Sequence, residues 1–434
     1  MVKVAVETLG CSKNMVDSEN ILGYLKSKGL IPVDNFEEAD IIVVNTCGFI
    51  TPAKEESINT ILELAAYKER NNLVKLVVTG CMTAKYGSEL LKEIPEIDAA
   101  VDINNLDSIL SLAGKNFIHG SNLGYIRITQ TGCFVRYLKI AEGCDNFCTY
   151  CTIPELKGKY ESFSRENIIN EARELIADGA KELNLIAQDI TRYGIDTTGK
   201  HELAELVKSI SSLNGDFWVR LLYCYPTDIT SELIDVVAAY PKVCKYLDIP
   251  LQHVSTSVLN RMGRRGSKEE IIELIHKLRS RIPQLSIRST FIVGFPGETK
   301  EDFEELLCFL REVKLDWVGA FTYWQETDTP AAKLPNQIPK RIKEERYHKL
   351  MEVQREITTS KNFSLVGTRL TVLIEDIFDD DEQYRIGRSQ YQAPEVDGLI
   401  IVKTTKEVGN FVETKITDVY NDFDLLGEDI NVSC

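Results

Sequence analysis

Two sets of three cysteines carry the clearest chemistry in this sequence. The first set is a compact motif, Cys144-Asp-Asn-Phe-Cys148-Thr-Tyr-Cys151, with the spacing C-x3-C-x2-C. Thiolates at this spacing can bind three irons of a cubane iron-sulfur cluster, which leaves the fourth iron open. Zinc is the alternative, but a closed structural zinc site uses four ligands, and no fourth Cys or His follows nearby. The motif therefore favours an iron-sulfur cluster with one open iron.

The second set is spread along the N-terminal part of the chain. Cys11, Cys47 and Cys81 each follow a short apolar run and are separated by 36 and 34 residues. Each interval has the length of one βα unit. Because the carboxyl ends of parallel strands share one edge of a sheet, three residues placed in this way can meet there. The sequence therefore predicts a second metal site.

The elements around the second set predict an open parallel βα domain over residues 1–125. Runs rich in Val, Ile and Thr at 2–8, 41–46 and 75–80 are typical of buried parallel strands. Helical patterns at about 18–28 and 53–70 lie between them. The order is βαβαβ.

Residues 133–363 predict a second α/β domain, a partial TIM-like (β/α)6 barrel that begins just before the compact motif. Helical patterns separate six candidate strands, and a long charged helix, Lys340–Phe363, follows them. The candidate strands are Leu138–Glu142, Glu182–Ala187, Trp218–Tyr223, Tyr246–Pro250, Ser286–Val293 and Trp317–Tyr323.

Residues 366–434 predict a small antiparallel β-barrel of OB-like or TRAM-like type. The pattern changes there to short alternating strands with Gly and Asp turns, and no helical pattern is evident. The candidate strands are Arg369–Glu375, Arg385–Ser389, Gly398–Lys403 and Phe411–Val419. The overall fold class is α/β with three domains.

Composition narrows the function classes. The 434 residues include 66 acidic and 50 basic side chains, so the formal net charge is −16, with 44% hydrophobic residues. This balance excludes a disordered chain and disfavours a broad, nonspecific grip on nucleic acid. No apolar run approaches the ~20 residues that span a bilayer, and the N-terminus lacks the features of a secretory signal. We expect a cytoplasmic protein without membrane attachment.

The motifs resemble a known family. Cys144, Cys148 and Cys151 are similar to the cysteine triad of radical S-adenosylmethionine (SAM) enzymes. With the three-cysteine N-terminal domain and the C-terminal barrel, nearly the whole chain resembles the methylthiotransferases. The branch that modifies an aspartate of ribosomal protein twelve of the small subunit is the most similar in four segments. These are Gly10-Cys-Ser-Lys-Asn14 with Asp17-Ser-Glu19, Ile140–Asn146, Leu185–Gly194 and Leu251-Gln-His253.

The resemblance implies a two-cluster enzyme. Cys144, Cys148 and Cys151 would hold a 4Fe-4S cluster that cleaves SAM to a 5′-deoxyadenosyl radical. An auxiliary 4Fe-4S cluster on Cys11, Cys47 and Cys81 would carry the sulfur, which a second SAM methylates. A methylthio group would be inserted at the β-carbon of the aspartate, with electrons from a donor such as flavodoxin or ferredoxin. No catalytic side chain beyond the cluster ligands is required.

Other residues are weaker candidates. Gln188-Asp189, and Gly294, Pro296, Gly297 and Glu298, lie in loops where cofactor contacts belong in such a fold, although these glycines are equally suited to shaping a turn. One alternative for His253 is a side chain that faces the active site, but a His at a strand end is more typical of a structural hydrogen-bonding residue. Arg261, Arg264 and Arg265 form a local basic spot that would suit phosphate or an acidic surface, although solvated arginines are the more common case. We expect buried thiols at the remaining five cysteines, Cys133, Cys224, Cys244, Cys308 and Cys434.

The charge of the C-terminal domain bears on the substrate. Residues 366–434 contain six basic and fifteen acidic side chains, a net charge of −9. Such a barrel should repel an RNA backbone and attract a basic ribosomal protein, free or within the ribosome. The alternative is a tRNA adenosine methylthiotransferase with the same cofactor chemistry. A simple electron carrier is disfavoured, because it closes its cluster with four protein ligands.

Overall fold

The computed structural model describes residues 1–70, 74–103, 105–113, 127–129, 134–378 and 381–431. The chain divides into two compact units. The first contains residues 1–132, 142–145 and 151–160, and the second contains residues 133–141, 146–150 and 161–434. None of the helices in the described ranges is both long and apolar enough to cross a membrane.

The first unit is built on a parallel sheet. Its strands are β1 (Lys3–Thr8), β2 (Ile31–Pro32), β3 (Ile41–Thr46), β4 (Lys75–Gly80) and β5 (Ala99–Ala100), in the order β2-β1-β3-β4-β5. Its helices are α1 (Ser12–Ser27), α2 (Thr51–Arg70), α3 (Cys81–Glu93), α4 (Asp107–Leu112) and α5 (Ile153–Lys157), with a 3₁₀ turn at Phe36–Glu38. The three predicted strands are confirmed. Two further two-residue edge strands are too short to leave a pattern in the sequence.

Both faces of this sheet are covered by apolar packing. All six residues of β3 are buried, and alternate side chains enter two separate hydrophobic clusters. Ile42 and Val44 pack on one face, and Ile41 and Val43 on the other. Each such buried side chain contributes about 1.5–3 kcal/mol. The near-continuous apolar run of β3 therefore reflects its central position.

The second unit contains a six-stranded parallel sheet that does not close. Two short strands, β7 (Ala141–Glu142) and β8 (Glu161–Ser162), form a separate two-stranded sheet. The sheet strands are β6 (Val135–Lys139), β9 (Glu182–Ile186), β10 (Trp218–Leu221), β11 (Val243–Asp248), β12 (Ser286–Val293) and β13 (Trp317–Thr322). Their order, β13-β12-β11-β10-β9-β6, follows the chain, and every neighbouring pair is parallel. The prediction of a partial (β/α)6 barrel is confirmed.

Helices follow these strands in turn. They are α6 (Arg165–Ala177), α7 (Ile195–Thr198), α8 (Leu203–Ser211), α9 (Ser231–Ala239), α10 (Thr256–Arg261), α11 (Lys268–Arg281), α12 (Lys300–Val313) and α13 (Lys340–Leu365). Single 3₁₀ turns occur at Ile190–Arg192, Pro226–Asp228 and Pro330–Lys333. Reciprocal capping boxes fix the starts of two helices. Ser267 with Glu270 caps α11, and Thr299 with Asp302 caps α12.

The C-terminal strands form a closed barrel. They are β14 (Arg369–Ile377), β15 (Tyr384–Ser389), β16 (Ile400–Lys403), β17 (Phe411–Val419) and β18 (Leu425–Asp429), in the order β14-β15-β16-β18-β17. Four of the neighbouring pairs are antiparallel, and the β16–β18 pair is parallel. The predicted small barrel is confirmed, with one more strand and one parallel pair than expected.

The barrel packs against the amino ends of the strands of the open sheet. Trp218, the first residue of β10, meets Phe411 with ring centroids 4.7 Å apart. The side chains of Ser286 and Trp317, which begin β12 and β13, both donate to the carbonyl oxygen of Tyr391, at 3.0 and 2.9 Å. In parallel α/β folds this end of the strands serves stability, and the opposite end carries the chemistry.

Candidate functional site

Cys11, Cys47 and Cys81 lie at the carboxyl ends of three neighbouring strands of the first unit. Cys11 is the N-cap residue of α1, Cys47 directly follows β3, and Cys81 begins α3. Because β1, β3 and β4 are adjacent and parallel, the three positions share one edge of the sheet. The structure therefore places them at the edge that their spacing predicted.

Two glycines let the cysteine turns approach one another. A Cβ atom on Gly10, where φ is +92°, would lie 2.8 Å from the Cβ of Cys47 and 3.0 Å from its Sγ. A Cβ atom on Gly48 would lie 2.9 Å from the backbone of Met82, the residue after Cys81. Real Cβ atoms do not approach so closely, so these turns need glycine. The residues beside the three cysteines are thus packed together.

A buried asparagine, Asn14, joins these turns by hydrogen bonds. The Asn14 side chain donates to the carbonyl oxygens of Leu9 and Thr46, at 2.8 and 3.2 Å, and so joins the ends of β1 and β3. Its Oδ1 lies 3.8 Å from the Sγ of Cys81. Asn45 donates to the backbone oxygen of Asn14 at 2.9 Å. This web holds the strand ends in one arrangement.

Lys157 brings a positive charge to the same edge. Its Nζ lies 3.3 Å from Asp17 and 3.7 Å from Glu142, and its side chain is 9% exposed. Burial alone would lower the pKa of Lys157, but Asp17, Glu142 and the Cys81 sulfur raise it above its ordinary value. Burial raises the pKa of the Cys81 thiol to about 11, while Lys157 acts in the opposite direction. A metal that binds there displaces the proton of this thiol.

The donor set fits an iron-sulfur cluster, which takes thiolates from the protein. Among the described residues, no three His, Cys, Asp or Glu side chains are grouped closely enough to hold one metal ion. In a cubane each of three irons takes one thiolate, so the sulfurs stand farther apart than they do around one zinc. Three thiols at one edge of the sheet, beside an ammonium group, fit the auxiliary cluster that the resemblance implies.

The loop that carries the compact motif follows β7 and is anchored by backbone hydrogen bonds. Thr149 lies between the second and third cysteines, and its backbone N–H donates to the Met262 oxygen at 2.9 Å. Its hydroxyl donates to the Arg261 oxygen at 2.8 Å, and its own carbonyl accepts from Ala331 at 2.9 Å. All three cysteines, Cys144, Cys148 and Cys151, are half-buried. The loop is thus held while its thiols stay accessible.

The three arginines near this loop differ in their surroundings. Arg264 is 8% exposed, and its guanidinium lies 3.7 Å from the Sγ of Cys148. The Arg265 side chain is 50% exposed and pairs with Asp228 at 2.7 Å. Arg261 donates to the Gly297 oxygen at 3.0 Å. The expectation of ordinary solvated arginines is therefore wrong for Arg264.

Gln188 and Asp189 follow β9 at the carboxyl edge of the second sheet, as predicted. Asp189 is buried, and its carboxylate accepts from the Thr191 N–H at 3.0 Å and from the Asn146 side chain at 2.8 Å. Burial raises the pKa of Asp189, and these two partners act against it. Asp189 therefore ties the strand end to the cysteine loop. Contact of Gln188 or Asp189 with SAM stays a prediction.

The turn at residues 294–298 is braced within the second unit. A Cβ atom on Gly294 would lie 2.4 Å from the Lys343 side chain, and one on Gly297 would lie 3.2 Å from Arg261. Glu298 accepts from the Phe295 N–H at 2.9 Å and from Arg346 at 2.7 Å. Burial raises the pKa of Glu298 to about 6. These contacts, with the buried Pro296, shape the turn; contact with SAM stays a prediction.

His253 and the remaining cysteines do not form a further metal group in the described part of the chain. The His253 ring is buried and accepts from the Ser255 N–H at 3.0 Å, and burial lowers its pKa to about 3. Cys224 and Cys244 are buried, as expected, whereas Cys308 is exposed on α12, so its prediction is wrong. Cys133 and Cys434 lie outside the described residues.

Comparison with known proteins matches three successive parts of this chain to three families. Residues 3–102 match an uncharacterized protein family, UPF0004, residues 138–310 match the radical SAM superfamily, and residues 366–430 match the TRAM domain. The ribosomal protein uS12 methylthiotransferase RimO of Carboxydothermus hydrogenoformans is 47% identical, covering 99% of this chain and 100% of the relative. The RimO of Clostridium botulinum is 48% identical, covering 100% of this chain and 99% of the relative. The chain belongs to the RimO family.

Solved structures add a likeness of fold to this RimO-family assignment. The radical SAM methyltransferase TsrM from Kitasatospora setae, solved with cobalamin and a [4Fe-4S] cluster, has a TM-score of 0.56 at 13% identity. The match covers 85% of this chain and 80% of TsrM. Family membership confirms the prediction of a radical SAM methylthiotransferase. The names of the relatives favour the ribosomal-protein branch over the tRNA alternative.

Sequence reasoning missed four supporting residues of this site. Asn14 and Asn146 fell within quoted motifs without an assigned role, Lys157 lay outside every quoted motif, and Arg264 was grouped with its neighbours. Each acts through a partner distant in sequence. The separation between Lys157 and Asp17 is 140 residues, for example. No local pattern reveals such a contact.

Proposed function

We propose that this protein inserts a methylthio group at the β-carbon of an aspartate in ribosomal protein uS12 of the small subunit. The observation that carries the proposal is the full-length relationship to uS12 methylthiotransferases in a chain that also keeps both three-cysteine sets. The reaction replaces a C–H bond by a C–S–CH3 group. Such chemistry depends on bound cofactors, and the protein supplies placement and shielding.

The two cysteine sets have separate tasks in this proposal. Cys144, Cys148 and Cys151 would hold the cluster that engages SAM, and Cys11, Cys47 and Cys81 would hold the auxiliary cluster. When bound, these groups supply one-electron reduction, the 5′-deoxyadenosyl radical, the sulfur and, from a second SAM, the methyl group. Asn14 holds the ends of β1 and β3 together, and Asp189 holds the cysteine loop next to the end of β9.

The charge of the barrel surface supports a basic protein substrate. Among the described residues of the barrel, nine acidic side chains are exposed but only four basic ones. The acidic ones are Asp376, Asp381, Glu382, Glu395, Glu407, Glu413, Asp418, Asp422 and Glu428. Such a surface attracts a basic ribosomal protein and repels an RNA backbone.

Not all of the acidity predicted from the sequence is available for this purpose. The Asp397 side chain is fully buried and contacts Arg288 at 3.4 Å, and Glu375 pairs with the buried Arg388. Asp379 and Asp380, in the acidic run, lie outside the described residues. Within the described part of the barrel, the attraction depends on the exposed acids.

The remaining partners follow from the chemistry. Reduction needs a low-potential one-electron donor, and a cytoplasmic flavodoxin or ferredoxin fits that requirement. The substrate would be uS12, either free or assembled in the small subunit. Nucleic acid is then a neighbour of the substrate and not the substrate itself.

The test is mass spectrometry of ribosomal proteins and tRNA from cells with and without this gene. We expect a methylthio mass increment on uS12 that disappears when the gene is deleted. The deletion strain is complemented with the wild-type gene or with two triple Cys→Ala genes, one for each cysteine set. Only the wild-type gene should restore the increment. If the methylthio increment appears on tRNA and not on uS12, and disappears from tRNA when the gene is deleted, the tRNA alternative replaces the proposal.

Purified protein separates the two cysteine sets. Anaerobic reconstitution should give about eight irons for two cubanes in the wild type and about four in each triple variant. Replacing Cys144, Cys148 and Cys151 should abolish SAM cleavage. Replacing Cys11, Cys47 and Cys81 should leave cleavage but stop sulfur insertion. Full iron content in either triple variant would contradict the ligand assignment.

A further inference from the structure

We propose that Arg264 is a positioning residue for the radical cluster, whose guanidinium donates a hydrogen bond to the Cys148 sulfur and so favours one-electron reduction of that cluster. The inference rests on the assignment of Cys144, Cys148 and Cys151 as cluster ligands. It adds a residue outside the cysteine motif to the machinery that sets the reactivity of the cluster.

Three contacts fix the guanidinium of Arg264. Its Nη1 lies 3.7 Å from the Sγ of Cys148, and its Nη2 donates to the carbonyl oxygen of Pro250 at 2.6 Å. The central carbon of the group lies 4.4 Å from the centroid of the Tyr225 ring. With 8% of the residue exposed, this charge has little water to screen it. The orientation toward sulfur is therefore built into the fold.

The segment that carries Arg264 is joined to the cysteine loop just before this residue. The Arg264 N–H donates to the Leu259 oxygen at 2.9 Å, which ends α10. Two residues earlier, Met262 accepts from Thr149, the residue next to Cys148. The backbone of this segment thus holds the cysteine loop, while the Arg264 side chain contacts the Cys148 thiol. The distance between guanidinium and sulfur has little freedom to change.

A fixed cation at this distance changes the energetics of reduction. The cluster gains one electron from an external low-potential donor, so its negative charge rises by one and no bond is broken. Hydrogen bonds to cluster sulfurs and charges near them set the reduction potential. In a poorly solvated site the attraction between the added charge and a guanidinium is stronger than at the surface. Arg264 should therefore make the potential less negative.

Arg265 provides a matched control on the next residue. Its guanidinium stacks on the same Tyr225 ring, at 4.8 Å, but pairs with the Asp228 carboxylate at 2.7 Å. Its side chain is 50% exposed. Its Nη2 also donates to the Asn146 side chain on the cysteine loop at 3.2 Å, but Asp228 and the solvent offset its charge, so its loss should leave the potential of the cluster nearly unchanged.

The experiment measures the potential of one cluster at a time. The background is full-length protein with Cys11, Cys47 and Cys81 replaced by Ala, reconstituted anaerobically and titrated with dithionite under electron paramagnetic resonance (EPR). For Arg264→Gln we expect an about tenfold smaller reduction equilibrium constant, a shift of about 59 mV to more negative potential for a one-electron couple. Arg264→Lys keeps the charge but not the planar fork of the guanidinium. Its potential should therefore lie between that of the background protein and that of Arg264→Gln. Arg265→Gln should match the background.

The possible results separate the inference from the function on which it rests. An unchanged potential in Arg264→Gln, or an equal shift in Arg265→Gln, would overturn the role of Arg264 and leave the cluster assignment intact. Loss of the cluster from both Arg264 variants, with an unchanged circular dichroism spectrum, would also overturn it, because Arg264 would then only hold the loop. A background protein without any EPR-active cluster would overturn the assignment itself.

Discussion

Arg388 is the residue at which the attachment of the barrel to the open sheet can be measured. Its side chain is fully buried, contacts Glu182 at 3.1 Å, donates to the Gln392 oxygen at 2.7 Å and also pairs with Glu375. Arg220 holds the other oxygen of Glu182 at 2.7 Å. Replacing Arg388 with Met keeps apolar volume but leaves two carboxylates with one cation. Breaking a buried pair in this way costs about 3–5 kcal/mol of the free energy of unfolding.

The cost of Arg388→Met should depend on pH. Although burial alone would raise the pKa of Glu182, Arg220 and Arg388 bring it below its ordinary value of 4.5. A carboxylate with a lowered pKa stabilises the fold above the unfolded pKa, and this contribution is lost as pH falls through the folded pKa. Glu375 behaves differently, because burial raises its pKa despite Arg388. Protonation of either carboxyl relieves the unpaired charge in the variant, so the difference between wild type and variant should begin to shrink above pH 4.5, where Glu375 protonates, and should shrink further as the pH falls below it.

The assay is urea unfolding of the metal-free protein, followed by the fluorescence of the three tryptophans, Trp218, Trp317 and Trp324, all of which lie in the second unit. The slope with urea should stay the same while the midpoint falls. Arg385→Met is the matched control, because Arg385 lies on the same strand, is half-buried and donates to backbone oxygens of Glu382 and Tyr384. A loss below about 1 kcal/mol for Arg388→Met, as for a surface pair, would refute the reasoning.

Three other changes test the site and the barrel surface. Gly10→Ala should remove the auxiliary cluster and about half of the bound iron, since its Cβ would lie 2.8 Å from that of Cys47; normal iron content would contradict this packing. Lys157→Met should lower the unfolding free energy of the first unit by about 3–5 kcal/mol, seen by urea denaturation, because its carboxylate partners stay buried; a neutral effect would show that water reaches them. Replacing Asp381 and Glu382 with Lys should slow association with uS12 more at low than at high salt in stopped-flow measurements; salt-independent slowing would point to lost contacts instead.

Much of the fold could be predicted because apolar runs and their ends are local features. The first and last residues of β3 and β4 agree with the predicted ranges 41–46 and 75–80. The cysteines that follow these strands lie at the carboxyl edge of the parallel sheet, as predicted. The strand β18 was missed because its sequence, Leu-Leu-Gly-Glu-Asp, contains the Gly and acidic residues that are typical of turns, and because one of its partners, β16, lies far from it along the chain. The parallel β16–β18 pair has no local signal either. Pairing partners, unlike strand ends, are decided by tertiary contacts.

The site shows the same limit at single residues. Arg264 and Arg265 are identical and adjacent, yet one is buried against a thiol and the other is half-exposed beside a carboxylate. They lie between α10 and α11, where no helical or strand periodicity assigns a side chain to a face. Counting charges likewise misjudged the barrel, because Asp397 counts as an acid but is enclosed beside Arg288. A charge total cannot distinguish surface from interior.

Under the proposed function, substrate capture and chemistry belong to opposite ends of the open sheet. Glu182 and Trp218 begin β9 and β10 and contact the barrel, whereas Asp189 and Gly294 follow the carboxyl ends of β9 and β12. The barrel therefore joins the end of the second unit opposite to the predicted SAM-contacting loops. Lys substitutions on its exposed acids should then raise KM for uS12 and leave kcat unchanged, because they act on encounter and not on the reacting groups. A fall in kcat at saturating uS12, with KM unchanged, would show that the barrel acts on the chemical step.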